Sequence, residues 1–95
     1  MEIRSIELPN NVILPYVEHG NDEGLPMVLL HGFAGSWRSF SLVLDHLPAS
    51  IRAFAVTQRG HGDASKPRKG FQVDRFAADL AAFMDALQLE ASVVV

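Results

Sequence analysis

Apolar and polar positions follow three different rhythms along this chain, and each rhythm predicts a different kind of element. Glu2–Leu8 and Val12–Val17 read as two strands separated by the turn Pro9-Asn10-Asn11. In the second strand Val12, Leu14 and Tyr16 share one face, and Pro15 argues for a sheet edge because it lacks a backbone donor. Gly20–Gly24 is a polar connection into Met27-Val28-Leu29-Leu30, an unbroken apolar run of the kind that suits a strand buried on both faces. The period then changes to that of a helix: Trp37, Phe40, Val43, Leu44 and Leu47 recur at helical spacing, Ser36 stands where an N-cap belongs, and Pro48 stops the pattern. Ile51–Val56 is a further apolar strand. A second long helix follows, capped by Asp74, with Phe76, Leu80, Phe83, Met84 and Leu87 as its stripe and Arg75, Asp79 and Gln88 off it. Ala91–Val95 closes the chain as a buried-type strand.

Strands alternating with helices predict an α/β domain with a mostly parallel sheet and flanking helices. Two glycine-bearing loops then fall on one edge of that sheet, because each follows the carboxyl end of a strand. His31-Gly32-Phe33-Ala34-Gly35 follows the first buried strand, and its two glycines are expected to supply positive φ. Thr57 to Pro67, containing Arg59-Gly60-His61-Gly62, follows the next. Open α/β sheets place ligand chemistry at that edge.

Composition narrows the function. Apolar residues make up 48% of the 95 positions and charged ones 20%, which implies one packed domain rather than a disordered chain. A net charge of −3 leaves no footprint for nucleic acid or an anionic membrane, and the basic run Lys66-Pro67-Arg68-Lys69 reads as a solvated loop. The absence of cysteine excludes disulfides and thiolate metal sites. His19, His31, His46 and His61 form no i,i+3 or i,i+4 pair, so no metal site is expected. No stretch approaches the roughly 20 apolar residues of a membrane span, and the first ten residues lack a signal-peptide pattern. The expectation is a soluble cytoplasmic protein without a cofactor.

The HGF loop, the RGHG loop and the helix–strand DLAAFMDALQLEASVVV, in this order and spacing, resemble the N-terminal part of α/β-hydrolase-fold proteins over essentially the whole chain. In that family a strand like Val93–Val95 leads into a nucleophile elbow, with the acid and histidine of the triad later still. The resemblance therefore implies a partial domain over residues 1–95, holding five strands and two helices, as the front part of a longer protein. No catalytic residue of the triad lies in this chain, which alone is expected to be inactive. The parent is read as a serine esterase or acyl hydrolase acting on a small, ester-like substrate. By resemblance, the Phe33 backbone N–H is half of an oxyanion hole. His31, Gly32, Gly35, Arg59, Gly60, His61 and Gly62 shape the site loops, and Trp37 is a core residue with a possible place on the pocket wall. Thr57 and Ala64 depart from the family pattern D-x-R-G-x-G-x-S, which puts the Asp's hydrogen bonding in question at Thr57. Members with an Asp nucleophile are the alternative: haloalkane dehalogenases typically carry Asn where Phe33 stands, and epoxide hydrolases often carry Pro where Ala34 stands.

Three other readings use the same residues. A non-catalytic, flavodoxin-like binding module fits the alternation. Gly60-x-Gly62-x-x-Ser65 approaches a dinucleotide fingerprint but lacks its third glycine and the helix that should follow. Ser36 and Ser65 are poor nucleophile candidates, one suited to capping and the other lying in a polar loop.

Overall fold

The computed structural model describes residues 2–89 and 92–95. Ala91, assigned above to the last strand, lies outside them. A five-stranded sheet is built from β1 (Arg4–Glu7), β2 (Ile13–His19), β3 (Leu25–Leu30), β4 (Ile51–Val56) and β5 (Val93–Val94), in the order β1-β2-β4-β3-β5. β4, β3 and β5 run parallel, whereas β1 and β2 add to this core as antiparallel strands. Helix α1 (Ser41–His46), entered through a 3-10 turn at Trp37–Phe40, follows β3, and α2 (Val73–Ala86) follows β4.

Strand alternation divides the core into two layers. Leu14, Tyr16, Val28, Phe54 and Val56 face one side and pack with Phe83 of α2. Val17, Leu29, Ala53 and Ala55 face the other and pack with Leu44 of α1. Val28 and Leu29 are thus neighbours in sequence and core residues of opposite layers, as the unbroken apolar run of β3 requires.

Pro15 does not mark an edge. β2 lies between β1 and β4, and its ladder with β4 stops at the pair Tyr16–Val56, one residue short of the proline. The Pro15 carbonyl still accepts from Thr57 N–H at 2.9 Å, so the missing donor falls just past the end of the ladder.

The first predicted helix is shorter and split. Ser36 caps the 3-10 turn, its hydroxyl accepting from Arg38 N–H, and Val43 is exposed instead of lying on the buried stripe. Leu47 is extended (ψ 140°), as the residue before a proline should be, and this ends α1. Helix α2 begins earlier than expected. Its N-cap is Gln72, without a side-chain bond, and Asp74 sits in the first turn, where a carboxylate favours the positive end of the helix dipole. Asp79 is not off the buried face: it is 4% exposed.

Candidate active-site cleft

The loops after β3 and β4 lie side by side because their strands are parallel neighbours in register from Leu25–Ile51 to Leu30–Val56. Between them opens a cleft of about 250 Å³ lined by His31, Gly32, Phe33, Gln58, His61 and Phe76.

His31 is buried, and its ring is fully engaged. Nδ1–H donates to the Gly32 carbonyl at 2.7 Å, and Nε2 accepts the Gln58 backbone N–H at 2.9 Å. Only the neutral Nδ1–H tautomer makes both bonds. Burial holds the His31 pKa below the usual histidine value and the nearby His61 lowers it further, while the bond to Gly32 opposes the shift. The His61 ring lies 4.7 Å from His31, centroid to centroid, and its Nδ1 donates to the Arg59 carbonyl at 3.0 Å.

The positive φ expected of the loop glycines falls instead on Ala34, at +64°. Gly32 and Gly35 take no such angle, and only at Gly35 does small size matter. A Cβ on Gly35 would meet Ser39 Oγ at 2.9 Å and His31 Cβ at 3.0 Å, so the loop can close on itself only with glycine there. A Cβ on Gly32 would meet nothing within 4 Å. Phe33 is 98% exposed and stands edge-on to His61. Among the described residues, the backbone N–H groups of Gly32, Phe33 and Ala34 have no hydrogen-bond partner.

The second loop is held from beneath. Arg59 forms a two-pronged ion pair with Asp79 of α2, at 2.6 and 2.7 Å, and also donates to the Gly70 carbonyl. Asn10, in the β1–β2 turn, donates to the same carboxylate. The Asp79 contact raises the Arg59 pKa, against the effect of burial. Gly60, at φ +80°, faces Phe71 so closely that a Cβ would lie 2.4 Å from the ring. Gly62 has φ +46°. Thr57, in place of the family's Asp, accepts the Trp37 N–H at 2.9 Å and ties the two loops together.

Trp37 does not line the cleft. It packs against the α1 layer under the Arg38 guanidinium and borders a separate cavity of about 40 Å³ with Thr57 and Gly62. The Ser36 hydroxyl caps the 3-10 turn, and the Ser65 hydroxyl accepts the Ile13 N–H at 2.8 Å. Among the described residues, no group of three His, Cys, Asp or Glu could hold a metal, and no helix is long and apolar enough to cross a membrane.

Sequence reasoning missed Gln58, Phe76 and Asp79. For Asp79 the signal was present: it stands three residues after Phe76 and four before Phe83, which is on the stripe and not off it. Phe76 stands on the apolar stripe, where the pattern predicts a core residue. Nothing in the local pattern singled out Gln58.

A family profile described as alpha/beta hydrolase fold matches residues 26–95. The chain belongs to the α/β-hydrolase fold family. A Synechocystis sp. protein provisionally named a non-heme chloroperoxidase is 43% identical over 75 residues, covering 76% of this chain and 26% of its own length. The soluble epoxide hydrolase of Corynebacterium sp. (strain C12) is 37% identical over 71 residues, covering 75% of this chain and 24% of its own. Among solved structures, an epoxide hydrolase of this superfamily from hot-environment metagenomes has a TM-score of 0.93 at 27% identity, covering 99% of this chain and 32% of its own. The chain therefore spans about a quarter to a third of the length of these relatives.

Proposed function

We propose that the complete protein is an acyl hydrolase whose serine nucleophile, acid and histidine lie outside residues 1–95, and whose oxyanion is received by Phe33 N–H. The observation that carries this reading is the run of three unpartnered N–H groups at Gly32–Ala34 in the loop that walls the cleft. A donor without an internal partner, fixed beside a cavity, is available to a ligand. When the nucleophile attacks a carbonyl carbon, the π electron pair moves to oxygen. A donor already in place stabilises that charge without reorganising. Collapse of the adduct expels the alkoxide, and water then releases the acid. His31, Gly32 and Gly35 shape the donor loop, while Arg59, Gly60, His61 and Gly62 shape its neighbour. The substrate is a small ester-like molecule.

An Asp-nucleophile reading is favoured by the epoxide hydrolases among the relatives. Position 34 departs from the proline that epoxide hydrolases often carry, which weakens that reading. A proline ring holds φ near −65°, so the loop seen here, with Ala34 at +64°, cannot be the loop of a member that carries Pro there. The Phe33 side chain also has no donor to hold a departing halide.

A fluorophosphonate probe on the complete protein tests the proposal. Stoichiometric labelling of a serine beyond Val95, with ester turnover, supports it. Epoxide, haloalkane or halide turnover without labelling ends it. The 95-residue chain itself is expected to turn over no p-nitrophenyl ester, since both candidate serine hydroxyls are engaged by backbone N–H groups.

A further inference from the structure

We propose that Gln58 is a positioning residue: it grips His31 at ring and carbonyl together, and through His31 it aims the Phe33 N–H and couples that donor to the protonation state of the imidazole. The inference rests on the reading of Phe33 as the oxyanion donor.

The grip has two points. The Gln58 backbone N–H donates to His31 Nε2 at 2.9 Å, and its side-chain Nε2 donates to the His31 carbonyl at 2.8 Å. The ring transmits it forward, because Nδ1–H donates to the Gly32 carbonyl at 2.7 Å. Gly35 N–H donates to that same carbonyl at 3.0 Å. The Gly32 carbonyl and the Phe33 N–H belong to one planar trans peptide and point in opposite directions. Two donors that fix the carbonyl therefore fix the N–H. The Gln58 side chain likewise fixes the preceding peptide, so neither unit can turn alone.

Protonation undoes this at one identifiable atom. A proton on Nε2 would face the Gln58 N–H, donor against donor, and the ring must turn or the loops must part. His61, across from it on the second loop, is the titratable group whose charge acts on His31; a proton there disfavours a second one. Gln58 itself is neutral. Arg59, next in sequence, is committed to Asp79 and Gly70.

The test uses the complete protein, isotopically labelled. In the unaltered enzyme, ring nitrogen shifts should show His31 as the Nδ1–H tautomer, titrating below the ordinary histidine range. The Phe33 amide shift should follow the same midpoint. A second arm is Gln58→Met, of similar length without the donor. Its kcat should fall roughly ten-fold with KM changed less than about two-fold, because the donor acts only as charge develops. Its His31 titration should move towards the ordinary value. A His31 that titrates normally, a Phe33 amide indifferent to that titration, or a Met variant with unchanged kcat overturns the proposal. If neither ester turnover nor serine labelling occurs, the acyl-hydrolase reading fails, and the inference falls with it whatever the shifts show. If both occur while the shifts do not track, the inference alone fails.

Discussion

Ala34 holds a backbone angle that costs an L-residue about 1–2 kcal/mol, in a loop whose glycines do not need their freedom. Ala34→Gly should therefore stabilise the complete protein by about 0.5–1 kcal/mol in urea denaturation, after the entropic cost of glycine. Ala34→Pro should destabilise it, since the ring cannot reach +64°. Thr57 keeps a hydrogen-bond acceptor at its position: its hydroxyl accepts the Trp37 N–H. Thr57→Val leaves that donor unpaired and should cost about 1–3 kcal/mol, whereas Thr57→Ser keeps the acceptor and should cost only about 1 kcal/mol, for its lost buried methyl, in the same assay. His31 adds a pH dependence. Its folded pKa is depressed, so as pH falls below about 6.5 the unfolded chain takes up a proton that the native state refuses. Stability should decline from there down through the folded pKa and then level off with respect to this group. Urea midpoints of wild type and His31→Gln, compared across pH 7.5 to 5, check this; equal slopes would count against it.

At the scale of elements, α2 is tied to the sheet by more than its apolar stripe. Arg59 in the loop after β4 and Asn10 in the first turn meet at the one buried carboxylate of Asp79 on α2. Removing one partner of such a pair strands the other charge, so Arg59→Met should destabilise by about 3–5 kcal/mol. Replacing both, as Arg59→Met with Asp79→Leu, should recover much of that loss, and thermal denaturation of the three proteins decides it. The elements with strong periodicity were legible from sequence: β3, β4 and α2 fall close to their expected spans. The first helix was less so, because the Ser36 and Ser39 side chains close a capping box over a 3-10 turn before the α-helix begins. Pro15 misled for a related reason. Which carbonyl a proline leaves unpaired depends on where the neighbouring strand ends.

Over the whole molecule, exposed apolar side chains occur in several places, and two of them form adjacent groups on one element. Leu42 and Val43 stand out from α1, and Val93 and Val94 of β5, the last strand of the sheet, are about half exposed together with Val95 just after it. An apolar edge strand is a template for pairing with another chain. The 95-residue chain in isolation is therefore expected to self-associate, and Val94→Lys to reduce this. Sedimentation across a concentration series measures both; a monomer at all concentrations contradicts the expectation.

Periodicity and loop placement were properties of the sequence by itself. Alternation put Tyr16 and Val17 on opposite faces, an unbroken run marked β3 as doubly buried, and glycine loops after two successive parallel strands had to share an edge. These follow from local geometry, in which each residue's direction is set by its neighbours in the chain. Which atoms meet across that edge was decided by tertiary structure alone. The pairing of Gln58 with His31, of Thr57 with Trp37 and of Arg59 with Asp79 joins residues 20 to 27 positions apart. Each depends on strand register and helix rotation, quantities that no residue's own side chain encodes. The positive φ at Ala34 instead of at either glycine has the same origin: closure between fixed ends chose the angle, not the residue's preference.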